Sequence, residues 1–265
     1  MLKKLFKYDM IALSRLLGLF SVLALVSAGI GIGAIRLLAL TGSPDLDNPV
    51  LSAVFGLIGG LLIFLCVISL IAYFIVSLFM IARRFYTHFF TDEGYLTFTL
   101  PVTPTQLLLS KYLSSVIWAL ITFVTTVCSV LLIYLFGPPT MPDLGGLAAQ
   151  LDLLGVSSGS IVSFTAMIAL DLIADLFCIF LAISLGCMIA KKHKILASIG
   201  LYYVVQTIVA MLGVPFSVIS GVMTLQGNPN AYLFTSIGGI VVEVVVAVAA
   251  FFFTRMILQK RLNLS

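Results

Sequence analysis

Charge is the scarcest property of this chain. Acidic and basic residues together make up 9% of its 265 positions, where an ordinary soluble domain carries about 25%. Hydrophobic residues make up 62%. The two figures exclude a soluble domain and leave a polytopic membrane protein. Histidine occurs only as His88 and His193, in no cluster with metal-ligand spacing, so no metal site is expected. No glycine is followed by lysine, so the G-x-x-x-x-G-K-[ST] phosphate loop is absent and nucleotide phosphates are not cradled by that route. CxxC spacing is also absent. Cys66, Cys128, Cys178 and Cys187 lie in apolar runs and read as small buried hydrophobes. Nucleic-acid binding needs a basic face on a folded polar domain, and there is none. Internal repeats and low-complexity tracts are lacking.

What the chain has is long, continuous apolar runs. In lipid every backbone polar group must be satisfied internally, so spans are helices or closed barrels. The runs do not alternate, which selects helices. A span needs about 20 apolar residues, and six runs qualify: about 16–40, 52–82, 112–136, 166–190, 195–216 and 231–254. The expected fold class is an all-α membrane protein, a single transmembrane domain over 1–265.

The loops alternate in charge. Thirteen of the fourteen Lys and Arg fall on one side, from Lys3, Lys4, Lys7 and Arg15 to Arg255, Lys260 and Arg261. Asp45, Asp47, Asp143 and Asp152 fall on the other, with Arg36 near a span end. The positive-inside rule then places both termini in the cytoplasm. Within 1–15, Leu2, Leu5, Phe6, Met10 and Leu13 recur at helical spacing. That pattern suits an N-terminal amphipathic interfacial helix; the alternative is a plain extension of the first span. Asp9 and Arg15 interrupt the position of a signal-peptide core, so no cleavage is expected.

Few motifs carry chemistry. Gly29, Gly31 and Gly33 sit inside a span and read as small residues for close helix packing. Gly155 to Gly159 matches G-x-S-x-G but lacks a strand–turn–helix setting and a histidine on its side, so it reads as a loop. The cluster Lys191, Lys192, His193 and Lys194 sets topology first, with anionic lipid contact as a second role. Pro215 is expected to kink or end the fifth span, with a short re-entrant turn before Pro229.

Acids inside apolar runs are functional candidates by default. At 1.5 Å per residue, Glu243 lies about 18 Å from Arg255, near mid-membrane, and Asp171 about 30 Å from Lys191, near the outer interface. Asp175 is one turn deeper than Asp171. Arg36, about 31 Å from Arg15, reaches the same outer level. An ion pair of Arg36 with Asp171 or Asp175 is expected there; a polar lining at an outward exit is the functional alternative.

The main polar island runs from Arg83 to Lys111. It holds five charged residues, six aromatics and His88. Phe85, Tyr86, Phe89 and Phe90 have helical spacing, and Thr91 to Gly94 reads as a break. A short helix parallel to the membrane is expected to end or restart there. Thr103-Pro104-Thr105-Gln106 is a capping box with proline at the first helical position, launching the third span.

The stretch TDEGYLTFTLPVTPTQLLLSKYLSSVIW resembles the segment after the second span of bacterial type-2 ABC exporter permeases, notably small Gram-positive ones. The pattern is carried by Asp92, Glu93, Gly94, Tyr95, Leu96, Leu100 and Pro101. The opening LKKLFKYDMIALSR is similar to their amphipathic N-terminal helix. The resemblance implies that 83–111 is a cytoplasmic coupling region, with a coupling helix between spans two and three that docks a separate ATP-binding subunit. Its docking residues would be Phe85, Tyr86, His88, Phe89, Phe90, Asp92, Glu93, Gly94 and Tyr95. The resemblance also implies two permeases, identical or paralogous, with two ATPases. ATP and Mg sit on the partner and no cofactor on this chain. A path built from spans two and five implicates Phe64, Ile68, Thr207 and Met211, with Glu243 added by its depth. The setting is a bacterial cytoplasmic membrane, and the cargo is hydrophobic or amphiphilic. The last outer loop is short and lacks cysteine, so no sizeable extracellular cap is expected.

Two rivals differ in class. One is a secondary transporter driven by protons through Glu243 or Asp175. The other is a membrane enzyme or a non-transporting immunity or signalling scaffold. An ATPase gene directly beside this one favours the exporter over both.

Overall fold

The computed structural model describes residues 2–41, 48–91, 103–137, 158–190, 192–228 and 231–262, and every regular element among them is an α-helix. The helices are α1 Leu2–Leu40, α2 Pro49–Phe90, α3 Pro104–Phe136, α4 Ser158–Ile189, α5 Lys194–Leu225 and α6 Ala231–Leu262. Each contains a stretch long and apolar enough to cross a membrane. The chain is thus an all-α, multi-pass membrane protein.

The helices outrun the expected spans. The 42 residues of α2 extend about 63 Å, roughly twice the hydrocarbon thickness of about 30 Å. The N-terminal interfacial helix does not stand apart from α1, nor does a short helix before the break from α2; a restart after Thr91 falls on residues outside the described ones. Residues 2–15 continue into α1 without a break, and Arg83 to Phe90 continue α2. The reason is local: neither Leu2–Leu17 nor Leu61–Phe90 contains a glycine or proline, and extending a helix is far easier than nucleating a new one. At α3 the expected start holds, with proline at the first helical position. The helix begins at Pro104, and the Thr103 carbonyl accepts from the N–H groups of Gln106 and Leu107 at 2.9 and 3.2 Å.

Pro215 neither ends α5 nor opens a re-entrant turn. The helix carries it internally and runs on to Leu225. Membrane helices tolerate proline because local adjustment and neighbouring groups re-satisfy the freed backbone. The stop comes at Gly227, whose φ of 70° is open to glycine at no steric cost. Its N–H donates to Thr224 O, and that of Asn228 to Met223 O, at 3.0 Å each. This is a Schellman ending. Ser158 and Gly159 open α4, while the rest of the G-x-S-x-G stretch lies outside the described residues.

Two compact units are present. Unit 2 comprises Met10–Phe79 and Trp118–Leu147. Ala24, Ala28, Gly31 and Ala34 form a buried small-residue face on α1, which lets helix backbones approach. The Ser21 and Tyr73 hydroxyls are 2.8 Å apart, and the Cys66 thiol donates to Ser27 O at 3.2 Å. Cys178 and Cys187 are buried like Cys66, whereas Cys128 is exposed.

Of Gly29, Gly31 and Gly33, only Gly31 does the packing expected of them. A Cβ on Gly31 would stand 2.8 Å from the Cys66 sulfur, whereas Gly29 and Gly33 face open space. Gly31→Leu is expected to cost about 1–3 kcal/mol. Gly29→Leu and Gly33→Leu are expected to stay within about 0.5 kcal/mol of the parent. Thermal unfolding of the three variants in detergent checks the ranking; equal effects would refute it.

Unit 1 comprises Met1–Asp9, Met80–Ile117 and Ala148–Ser265. Its core is aromatic. Phe85 stacks on Phe180 at 4.1 Å and 11°, and Tyr112 meets Phe177, Phe180 and Phe251 at 4.3, 5.0 and 5.2 Å. The turn between α4 and α5 is tight. A Cβ on Gly186 would lie 2.7 Å from the Ser198 backbone.

Candidate functional site

The polar groups of unit 1 gather where α1 begins, α2 ends and α3 begins. Asp9 is buried there. Its Oδ1 accepts from Arg84 Nη2 at 3.0 Å and from Lys111 Nζ, and its Oδ2 accepts from Ser110 Oγ at 3.0 Å. Lys111 and Ser110 are buried as well. A buried charge needs a partner and hydrogen bonds on its remaining lone pairs, and Asp9 has both. One carboxylate thus joins the start of α1, the end of α2 and the start of α3. Sequence reasoning took Arg84 and Lys111 as topology signals and Asp9 as an interruption of a signal-peptide core. The one clue was an acid standing alone in a basic stretch, since Asp9 is the only acidic residue before Asp45.

The aromatics of the island divide between two roles. Phe85, Phe89 and Phe90 are 1%, 4% and 7% exposed, so they brace the end of α2 from within unit 1 and do not present the free docking surface expected of them. Phe85 and Phe89 are four residues apart on one inward face. Tyr86 and His88 are half-buried, and Thr91 is exposed. Asp92, Glu93, Gly94 and Tyr95 lie outside the described residues.

Beside Tyr86 lies an open cavity of about 610 Å³ whose other polar lining is Lys192, His193 and Lys194. The Gly186–Ser198 approach in the same hairpin positions that turn.

The acids of the apolar runs stand differently from the depth count. A Cβ on Gly239 of α6 would meet the Met167 sulfur of α4 at 2.9 Å, and Phe251 meets Phe177 further along at 6.5 Å. The two helices therefore run parallel in register, which sets Glu243 and Asp171 at one level, each a turn beyond that contact. The count had separated them by about 12 Å because it took Arg255 as the inner end of α6, whereas the helix continues to Leu262. Glu243 is buried, and its Oε2 has no hydrogen-bond partner among the described residues. Asp175 Oδ1 accepts from Tyr202 Oη at 2.7 Å and from Gln206 Nε2. Tyr202 and Gln206 are one turn apart on α5.

Arg36 was expected to pair with Asp171 or Asp175. In unit 2 its Nε donates to Phe136 O at 3.1 Å, at the end of α3. That capping of a helix C-terminus by a cation is favourable in itself. Of the residues assigned to a path, Phe64 and Ile68 are exposed in unit 2, and Thr207 and Met211 in unit 1.

Comparison with protein-family models, with curated proteins and with solved structures finds no match to this chain.

Proposed function

We propose that the chain is the membrane subunit of an ATP-driven exporter of the ABC type, working as a dimer and driven by a separate ATP-binding subunit. The observation that carries this reading is the Asp9 clamp. It holds Arg84 just before residues 91–103 and Lys111 just after them. Force applied to that segment therefore reaches the ends of two spans at once, as a coupling element requires. The charge bias of the loops supports a cytoplasmic position for the segment and both termini. ATP and Mg belong to the partner, where hydrolysis takes place.

In this reading, closure of two ATPases pushes the 91–103 segment, and the α2 and α3 ends follow as one body. His88 and the segment from Asp92 to Tyr95 supply the contact, with Phe85, Phe89 and Phe90 as its rigid backing. The exposed Phe64, Ile68 and Met211 suit hydrophobic or amphiphilic cargo.

Purification of the tagged chain from its native operon tests the reading. An ABC ATPase is expected to co-purify, and its absence would overturn the proposal. Asp92→Lys with Glu93→Lys is expected to release that ATPase while membrane insertion stays intact. Normal assembly of the double variant would move the contact elsewhere.

A further inference from the structure

The turn between α4 and α5 carries a feature that the coupling role does not use. Lys192 and His193 are exposed and Lys194 half-buried. Among the described residues no side-chain hydrogen bond or ion pair engages any of the three. They face the 610 Å³ cavity together with Tyr86. A cationic recess without an acidic partner has affinity for an anion.

The remaining wall says which kind of anion. It is made by Ile195, Leu196 and Ile199, exposed by 62%, 71% and 50%. The exposure continues along one face of α5, through Tyr203 to Met211. Positions 196, 199 and 203 recur at helical spacing, so the stripe is continuous. The cavity is therefore cationic where α5 starts and apolar along the stretch that enters the membrane. At the boundary between them, His193 occupies the cap position of α5 and makes no side-chain cap hydrogen bond. The first N–H groups of a 32-residue helix are thus left open to an acceptor. Inorganic phosphate would leave the apolar wall bare, and an acidic protein surface would leave the α5 stripe uncovered. An amphiphile satisfies both halves.

We infer that this cavity is a binding site for an anionic phospholipid. The phosphate sits among Lys192, His193 and Lys194, and an acyl chain lies along Ile195, Leu196 and Ile199. The Tyr86 ring closes the side toward α2. The inference stands whether or not an ATPase docks on the chain.

The test uses the full chain in phosphatidylcholine nanodiscs containing a minor fraction of phosphatidylglycerol, with retained lipid read by native mass spectrometry. Retention of phosphatidylglycerol over phosphatidylcholine is expected. Each lysine near the surface contributes about fivefold, so Lys192→Gln with Lys194→Gln should weaken retention by about 25-fold. Leu196→Ser should weaken it further without altering the charge. The control is Lys3→Gln with Lys4→Gln, which removes two exposed lysines from elsewhere on the chain. An equal loss in that control would reduce the effect to diffuse attraction and overturn the site. Displacement of the lipid by millimolar inorganic phosphate would make it a soluble-anion site. Unchanged retention in the Lys192/Lys194 variant, with loss of a co-purifying protein instead, would make the cavity a protein contact.

Discussion

Replacement of Asp9 by alanine is expected to destabilise the protein by about 3–5 kcal/mol, a fall of roughly 10 °C in Tm. The carboxylate is buried and is the shared acceptor of Arg84, Lys111 and Ser110. Its removal takes one carboxylate from the buried Lys111 ammonium and from Arg84 together, and the loss of one member of a buried pair is the expensive case. Removing both charges is cheaper than removing one. Asp9→Ala combined with Lys111→Met should therefore melt higher than Asp9→Ala alone. Thermal unfolding in detergent measures both. An Asp9→Ala protein that melts with the parent would show that the clamp contributes nothing. Because the clamp joins α1, α2 and α3, the same variant should also loosen residues 83–90, read as faster amide exchange there.

The second large effect is expected at Gly186. A Cβ there would meet Ser198 Oγ at 2.2 Å and Ser198 N and Cα at 2.7 Å. The hydroxyl can rotate away, but the backbone atoms move only if the start of α5 moves. Gly186→Ala is expected to cost about 3 kcal/mol, the upper end of the overpacking range, and Gly186→Val more. The contrast with Gly31 is instructive, since there the obstacle is the far end of the Cys66 side chain. Besides a lower Tm, Gly186→Ala should increase protease cutting at the turn around Lys192. A parent-like melt and an uncut turn would mean that α4 and α5 separate freely. The same variant should weaken the lipid site, because the Gly186 approach sets where Lys192 and Lys194 stand.

Much of the architecture was legible because lipid imposes one-dimensional rules. Runs of about 20 apolar residues must be helices, and all six were found. The start of α3 was legible because a capping signal is local: Thr103, Pro104 and Gln106 sit within four residues. The start of α1 and the ends of α2 and α5 were less so. There the chain lacks breakers or, at Pro215, carries one that the helix absorbs, and helices simply continue past the hydrocarbon.

Contacts between helices were not legible, and the reason is physical. A helix that is apolar around its whole circumference does not reveal which face it buries. Rotation about the helix axis then decides whether a residue is core or surface, and packing sets that rotation. This is why Phe85 and Phe89 turned inward while Tyr86 lines a cavity. It is also why Gly31 packs but Gly29 and Gly33 do not, and why Glu243 came level with Asp171.

The sequence by itself determined the membrane class, the helix type, the number of spans and the loop charge bias, because composition and run length suffice for each. Tertiary structure alone decided that Asp9 meets side chains 75 and 102 residues away, and that Lys192, His193 and Lys194 share a cavity with Tyr86. Those pairings depend on how separate helices rotate and pack, and no local pattern encodes that rotation in a helix that is apolar on every side.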